Sequence, residues 1–268
     1  MLLIKIFTIY FSFSIFSLGI FAKTVVISDI DDTIKMSHSM GTVSNAYYFF
    51  KARPFPVMKN ILVDLKNLSP DSDYFYVSAA PRLLFKGNAW IKEHGFPKGP
   101  VYLRKINSPD IYTYKYITIS TIIKNYIDEN ENISFIFLGD NSEHDPIIYK
   151  NIIEKYNLNA SIFIRDVATT GTSLSSELNQ IKIPGVNFFF SELDLLSFDQ
   201  FSFITEETTN QIKRALQEKK LIPRYIRETL TKRLIKKRKC VANNLFRAIR
   251  CRKKSKEDAA KIIHGHYQ

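Results

Sequence analysis

Short apolar segments alternate with amphipathic segments over most of this 268-residue chain. The apolar segments are rich in Val, Ile, Phe and Tyr, a composition typical of buried strands. Continuous apolar strands that alternate with helices predict an α/β fold, a Rossmann-like parallel sheet with helices on both faces. We predict strands at residues 23–28, 74–77, 101–104, 134–138 and 160–164, and one more at 181–186.

Helices are predicted in most of the segments that join these strands. The first has Val57, Ile61 and Leu65 at helical spacing, and Ser69–Asp71 ends it. Residues 36–55 have no long period and are predicted to form a loop. The predicted helices span residues 56–68, 82–94, 115–126 and 147–156.

Polar residues stand at or just after four predicted strand ends. They are Asp29, Ser78, Asp140 and Asp166. In open parallel sheets, ligands bind beyond the carboxyl ends of the strands. The shared position of these residues therefore indicates a ligand site at one edge of the sheet.

The first strand ends abruptly in three carboxylates, Asp29, Asp31 and Asp32. Burying that many charges without partners is very costly, so the segment favours a bound cation. Mg²⁺ takes oxygen ligands and is commonly held by carboxylates together with substrate phosphate, and an aspartate beside it can attack phosphorus. From this segment alone, an acidic turn with Thr33 as a helix cap remains an equal alternative.

Two nucleotide-binding classes have no support. The sequence contains neither G-x-G-x-x-G nor G-x-x-x-x-G-K-[ST], which argues against dinucleotide binding and P-loop chemistry. The five histidines are scattered, and we interpret His264 and His266 as part of a solvated tail rather than as a metal site.

Residues 1–22 are interpreted as a secretory signal peptide. Lys5 supplies a positive start, the following residues are apolar, and Ala22 is a small residue before the expected cleavage. Ile20 fits the small-residue rule poorly, so an uncleaved membrane anchor stays open as the alternative. We expect a periplasmic or secreted protein, or a membrane-anchored one if the segment is retained.

The net charge of +12 is concentrated after about residue 210. Leucine and isoleucine are interleaved there with Lys and Arg, which predicts basic amphipathic helices broken near Pro223. These helices either attract an anionic membrane surface or pack their leucines on the main domain, and the pattern leaves both open. Nucleic-acid binding is not favoured, because an exported protein seldom meets nucleic acid.

These patterns divide the chain into a signal segment at 1–22, a main domain at 23–200 and a basic helical tail at 201–268. The two cysteines, Cys240 and Cys251, both lie in the tail. In one straight helix they would lie about 16 Å apart, too far for a disulfide. Pairing therefore requires a break in the helix, and whether they pair stays open.

The strand-end residues match a known pattern. Asp29–Thr33 resembles the D-x-D-x-T nucleophile motif of the haloacid dehalogenase superfamily. Ser78, Lys115 and Gly139–Asp145 resemble its three later motifs, in the required order. Over roughly residues 23–170, the chain resembles the catalytic domain of the actin-patch-type phosphatidate phosphatases and their bacterial relatives. The segments that carry this resemblance are Ser28–Lys35, Tyr76–Ser78, Gly95–Pro100, Leu138–Pro146 and Ile164–Asp166.

The resemblance implies catalytic roles for four residues. Asp29 would attack phosphorus and carry the phosphoryl group, while Asp31 would protonate the leaving oxygen and then deprotonate water. Ser78 would donate a hydrogen bond to the phosphoryl group, and Lys115 would offset its charge. Ala79–Ala80 departs from the family's second motif, which leaves the substrate contact there open.

The resemblance also implies Mg²⁺ as the cofactor. Its predicted ligands are Asp29, Asp31 through its backbone carbonyl, and Asp140. Asp145 completes the metal set by positioning Lys115 or a metal-bound water, with a helix cap as the alternative for Asp145.

Two basic residues are assigned to substrate binding. Lys35 would face the substrate from the first loop, and Arg165 would face it from the end of the 160–164 strand. For Arg165, a structural ion pair with Asp166 is favoured over substrate contact.

The implied function is a Mg²⁺-dependent phosphatidate phosphatase, a phosphoric monoester hydrolase that forms diacylglycerol and phosphate through an aspartyl-phosphate. The gaps from Asp29 to Ser78 and from Ser78 to Lys115 leave no room for a large cap domain, which predicts an open site for a bulky substrate. The expected partner is a phosphorylated lipid. A related phosphatase for another phosphomonoester and a non-catalytic membrane-binding protein stay open as alternatives.

Overall fold

Six parallel strands form one sheet in the described residues. The strands are β1 (Lys23–Ser28), β2 (Asp73–Pro81), β3 (Val101–Arg104), β4 (Ile133–Asp140), β5 (Ala160–Arg165) and β6 (Val186–Phe189). Their order across the sheet is β3-β2-β1-β4-β5-β6, so the predicted parallel α/β fold is confirmed. The structure, a computed structural model, describes residues 23–38, 53–127, 133–167, 183–218, 220–224, 226, 228, 231, 232 and 251–260.

Helices cover both faces of this sheet. Those in the described part of the chain are α1 (Met58–Leu68), α2 (Gly87–Glu93), α3 (Ile111–Ile127), α4 (Asp145–Tyr156), the single turn α5 (Glu192–Leu195) and α6 (Glu206–Gln217). Residues 251–260 are also helical.

Strand β1 explains why the sequence is apolar without alternation. Successive side chains of a strand point to opposite faces, and both faces are covered here. Val26 packs in one core with Ile61 of α1, and Val25 packs in the other with Ile119 of α3 and Ile148 of α4. All five side chains are fully buried, and each such burial contributes about 1.5–3 kcal/mol.

Helix α2 is shorter than the sequence predicts. It begins at Gly87 instead of residue 82, because the chain leaves β2 through a tight turn. In that turn the amides of Leu84 and Phe85 donate to the Pro81 carbonyl at 2.9 and 3.2 Å. The sequence prediction missed this turn.

Several further bounds differ, whereas β1 and β3 agree with prediction at both ends. Strand β2 continues to Pro81, so Ser78 lies inside the strand rather than after its end. Helix α3 begins at Ile111, which places Lys115 in its second turn rather than at its start. The last strand is β6, Val186–Phe189, instead of 181–186, and residues 181–182 lie outside the described residues.

The described part of the basic tail packs on the main domain. Helix α6 buries Ile212 and Ala215 in the same core as α1, and Ile226 and Ala259 join that core. The chain is not helical from 220 to 223 and resumes at residue 224, so the predicted break near Pro223 is present. Of the two alternatives for the tail, membrane attraction and packing on the main domain, these four side chains show packing.

Several predictions concern residues outside the described ranges, among them the signal segment 1–22 and most of the loop at 36–55. Cys251 is disulfide-bonded, whereas Cys240 lies outside the described residues. The division of the chain at residue 200 stays a prediction. No helix within the described ranges has the length and apolar character needed to span a bilayer.

Candidate active site

The site lies where the strand order reverses, between β1 and β4. These neighbours are paired in parallel with Ser28 opposite Leu138, and the Asp29 amide donates to the Leu138 carbonyl at 2.8 Å. Chain connections leave the two strands toward opposite faces, which opens a crevice at their carboxyl ends. Asp29 and Asp140 both lie at this crevice.

Three buried carboxylates converge there. One oxygen from each of Asp29, Asp140 and Asp145 lies within 4.8 Å of the others. Gly139 makes this approach possible, because a Cβ at that position would lie 2.8 Å from the Asp145 Cβ. Asp145 stands in the first turn of α4, where the helix dipole favours its negative charge.

Lys115 neutralises part of this charge. Its Nζ donates to Asp29 Oδ1 at 2.8 Å and to Asp145 Oδ1 at 2.7 Å, and it lies 3.7 Å from Glu143 Oε2. Burial alone would lower the pKa of Lys115, but the carboxylates of Asp145 and Asp29 outweigh it and raise that pKa well above its usual value. The ammonium group therefore stays charged.

The charge balance fits a divalent cation. Three carboxylates and one ammonium group leave two negative charges. Burial, followed by the neighbouring acidic groups, raises the pKa values of Asp140 and Asp29 well above their usual range; for Asp29, the Lys115 charge offsets part of the rise. Carboxylate oxygens are the ligands that Mg²⁺ takes, so this donor set suits such an ion.

Asp31 belongs to a second, separate cluster. Its Oδ1 accepts from Lys35 Nζ and from Ser37 Oγ, both at 2.5 Å, and its Oδ2 accepts from Ser78 Oγ at 2.8 Å. Burial acts to raise the pKa of Asp31, but the Lys35 charge and these hydrogen bonds together lower it below the usual value. Asp31 is thus held as an ionised, fixed carboxylate.

The loop after β1 is shaped by two residues to which the sequence analysis assigned no catalytic role. Asp32 adopts a positive φ of 57°, and its Oδ1 accepts from the amides of Ser37 and His38 at 3.0 and 2.8 Å. Thr33 donates through Oγ1 to Asp29 Oδ2 at 3.2 Å, and no helix begins beside it within residues 34–38. Thr33 therefore supports Asp29 instead of capping a helix.

A pocket of about 300 Å³ opens over both clusters. Asp29, Asp31 and Asp140 contribute to its wall, together with Arg104 and Glu143. The sequence analysis assigned no role to these last two residues. Arg104 ends β3, so the strand-end argument used for Asp29 would have found it.

Comparison with known proteins identifies a family for this chain. Residues 24–166 match the family model described as phosphatidate phosphatase APP1, catalytic domain. The chain belongs to this family. The family is one of phosphoric monoester hydrolases, and the resemblance identified from the strand-end motifs is confirmed.

Two individual proteins are also similar. Phosphatidate phosphatase APP1 of Saccharomyces cerevisiae is 28% identical over 178 residues, covering 58% of this chain and 29% of the yeast protein. The chain thus matches less than a third of that relative's length. A class C acid phosphatase from Bacillus anthracis, solved with tungstate bound, is 14% identical with a TM-score of 0.33, over 52% of this chain and 64% of that one.

The motif residues of the family come together in this chain, and Ser78 and the predicted substrate-binding residue Lys35 both contact Asp31. Ser78 Oγ donates to Asp31 and accepts from the Ala80 amide at 2.9 Å, so its hydroxyl proton is directed at a carboxylate. Lys35 is fully buried, pairs with Asp31, and lies 4.4 Å from the centre of the Phe85 ring. Both side chains hold Asp31 here, and their contacts with substrate stay a prediction.

The predicted roles of Arg165 need correction. Its side chain is fully buried, and its Nη2 pairs with Glu192 Oε1 at 3.1 Å rather than with Asp166. Its Nε donates to the Thr33 carbonyl at 3.1 Å, and the guanidinium carbon lies 3.7 Å from the centre of the Phe55 ring. Arg165 thus anchors the loop after β1 from beneath and does not line the pocket.

Proposed function

We propose that this chain is a Mg²⁺-dependent phosphatidate phosphatase that works through an aspartyl-phosphate on Asp29. One observation carries the proposal: Asp29, held by Lys115 and Thr33, lines an open pocket whose wall also includes Asp31 and Asp140. A nucleophile, an acid–base group and a cation site are the parts that phosphoryl transfer requires. Family membership supports phosphatidate as the substrate.

In the first step, an Asp29 oxygen forms a bond to phosphorus as the bond from phosphorus to the diacylglycerol oxygen breaks. Asp31 gives its proton to that leaving oxygen. In the second step, Asp31 takes a proton from water as the water oxygen attacks phosphorus. The bond from phosphorus to Asp29 then breaks, and phosphate is released.

The protonation state of Asp31 differs between these steps. Its lowered pKa in the structure suits the second step, in which it acts as a base. A substrate phosphate nearby adds negative charge, which raises the pKa of Asp31 and favours the protonated form needed for the first step. Lys35, Ser37 and Ser78 keep the carboxylate aimed while its charge changes.

Asp29, Asp140 and Asp145 are the residues whose carboxylates would hold Mg²⁺. The backbone carbonyl of Asp31 is the further ligand that the family resemblance implies. When bound, the ion neutralises the phosphoryl oxygens so that one anion can approach another. Lys115 keeps Asp29 and Asp145 at their present separation. Arg104 is the basic residue in the pocket wall and would contact the phosphate of the substrate.

A substrate panel tests the proposal. Purified full-length protein is incubated with phosphatidate, nucleotides, sugar phosphates and phosphopeptides, each with Mg²⁺ and with EDTA, and released phosphate is measured. We expect Mg²⁺-dependent release from phosphatidate above the others. Preferred hydrolysis of another phosphomonoester would replace the substrate, and no release from any of them would overturn the enzyme assignment.

We also propose export of the protein, supported by the composition of residues 1–22. Mass spectrometry of the mature protein from fractionated cells tests this. A chain that begins near residue 23 in the periplasm or medium is expected. Intact Met1 in the membrane fraction would identify the segment as an anchor instead.

A further inference from the structure

Strongly exposed apolar side chains lie on two adjoining turns beside the catalytic pocket. Leu83, Leu84 and Ile106 are 80%, 64% and 78% exposed, the highest values among large apolar residues in the described ranges. The turns are residues 82–86 after β2 and residues 105–108 after β3, together called the β2–β3 rim. Single exposed leucines are ordinary in soluble proteins, whereas a cluster of them marks a contact surface.

The rim is joined and ordered by hydrogen bonds. The Arg82 amide donates to the Arg104 carbonyl at 2.9 Å, which ties the two turns together at their bases. The Lys105 amide donates to Ser108 Oγ at 3.0 Å, which closes the second turn. The apolar side chains are therefore presented to solvent by a fixed backbone.

The rim combines apolar and basic groups. Both turns line a groove of about 780 Å³, whose wall includes Arg82, Lys86 and Lys105 together with the rings of Phe85 and Tyr102. Neither turn contains Asp or Glu. Basic groups attract anionic headgroups while neighbouring apolar side chains enter the acyl boundary, so this composition suits an anionic lipid surface.

The rim leads directly into the catalytic pocket. Pro81 and Arg104 line that pocket, and the next residue after each, Arg82 and Lys105, lines the groove. All four follow or end parallel strands at the edge of the sheet that carries Asp29. A surface bound to the rim would therefore lie beside the mouth of the pocket.

We propose that the β2–β3 rim docks the protein on an anionic lipid bilayer, with Leu83, Leu84 and Ile106 inserted and the adjacent basic residues on the phosphate groups. Docking in this way brings the catalytic pocket to the plane of lipid phosphates. The inference deepens the proposed function and rests on it, because only a lipid substrate requires such docking. It assigns membrane contact to the rim; in the described part of the tail, Ile212, Leu221 and Ile226 are buried in the core.

A matched pair of variants tests the docking surface in the full chain. Leu83→Ser/Leu84→Ser changes the rim, and the control Leu68→Ser/Ile127→Ser changes side chains that are 60% and 39% exposed. The control residues end α1 and α3, at the edge where the next strands begin. Vesicles of phosphatidylcholine and phosphatidylglycerol are used, since neither lipid is the substrate. We expect the rim variant to bind at least about tenfold more weakly, and the control within about twofold of wild type.

Activity separates docking from chemistry. Phosphatidate is supplied in vesicles and as a short-chain form below its critical micelle concentration. The rim variant is expected to lose about tenfold on vesicles and nothing on the soluble form. If the rim variant binds vesicles and hydrolyses vesicle phosphatidate as well as wild type does, the docking proposal is overturned and the phosphatase proposal is left intact. A wild type that binds through the rim but hydrolyses neither form would overturn the proposed function instead.

A fluorescent probe locates the inserted residues directly. Leu84→Trp is compared with Leu68→Trp, against the background of the native Trp90, which is only 5% exposed. On adding the same vesicles, we expect a blue shift and quenching by brominated lipids for Leu84→Trp alone. An equal response from both variants, or none from Leu84→Trp, would show that the protein contacts lipid by another surface or not at all.

Discussion

Two buried lysines neutralise carboxylates beside the same pocket, with opposite consequences. Among the described residues, Lys35 pairs with the carboxylate of Asp31, whose pKa is lowered even though burial acts to raise it. Lys115 contacts Asp29 and Asp145 with Asp140 close by, and the pKa values of Asp29 and Asp140 are raised, chiefly by burial. Both lysines are buried, so the difference comes from the neighbouring carboxylates around Asp29 and Asp140 and from the hydroxyl donors to Asp31.

The charge of Asp31 is compensated within the protein, whereas the charge of the three-carboxylate group is not. A one-to-one pair with two supporting hydroxyls satisfies Asp31 and fixes its direction. A three-to-one group leaves buried negative charge, which is costly until a cation enters. The first arrangement suits an acid–base group, and the second suits a divalent metal site.

The largest expected effect comes from removing the nucleophile of the three-carboxylate group. Asp29→Asn is expected to lower turnover by at least about 10⁴-fold, because an amide cannot accept the phosphoryl group. The fold should persist, since the change removes one buried charge from a group with excess negative charge. Phosphate release and thermal unfolding measure the two effects. Substantial activity in the folded variant would rule out the aspartyl-phosphate.

Removing each lysine compares the two clusters directly. Lys115→Met and Lys35→Met each leave buried carboxylate without its partner, which costs about 3–5 kcal/mol in free energy of unfolding. Mg²⁺ should restore part of the loss for Lys115→Met only, because Asp31 lies outside the three-carboxylate group. Urea unfolding with and without Mg²⁺ measures this. Equal restoration of both variants would contradict the separation of the clusters.

Asp140→Asn tests the three-carboxylate group by removing a negative charge instead of the positive one. Without metal, this variant is expected to be more stable than wild type by about 1–3 kcal/mol, because it relieves unpaired buried charge. It should also lose the rise in melting temperature that Mg²⁺ produces in wild type. Asp31→Asn is the matched control, expected to lose stability and keep the Mg²⁺ response. A normal Mg²⁺ response in Asp140→Asn would exclude it as a ligand.

The difference in stability between wild type and Asp140→Asn is also expected to depend on pH. The pKa of Asp140 is raised above 3.8 in the folded chain, chiefly by burial. Between pH 3.8 and that raised pKa, the Asp140 carboxyl therefore binds more protons in the folded than in the unfolded chain, so its contribution to stability falls as pH rises. The advantage of metal-free Asp140→Asn over wild type should be small near pH 4 and grow toward neutral pH. Urea unfolding across this range measures it, and an advantage that shrinks with pH would reverse the sign of the argument.

The smallest expected effect is within the one-to-one pair. Ser37→Ala removes one donor to Asp31, which costs about 1 kcal/mol in stability and raises the pKa of Asp31, because that hydrogen bond lowers it. The acidic limb of the pH–rate profile should therefore move to higher pH. Ser197→Ala, whose hydroxyl contacts only the exposed Asp194 carbonyl, is the control. An unmoved limb would show that Ser37 does not tune Asp31.

The sequence by itself determined the sheet and the meeting of its acids. Apolar runs without alternation require a parallel sheet, and the carboxyl ends of parallel strands lie at one edge. That reasoning brings Asp29 and Asp140 together before any coordinate is known, and β1 is predicted at both of its ends. The family motif added Lys115, which contacts Asp29 across 86 positions of the chain.

Only the tertiary structure decided which buried charges pair and which side chains face solvent. Arg165 has Asp166 as its sequence neighbour but pairs with Glu192, whereas Asp166 accepts a hydrogen bond from Asn141. Lys35 is buried against Asp31. Leu83 and Leu84 are exposed on a turn that the sequence analysis predicted as part of a helix. A periodic pattern reports local geometry, whereas these contacts depend on which elements packing brings together.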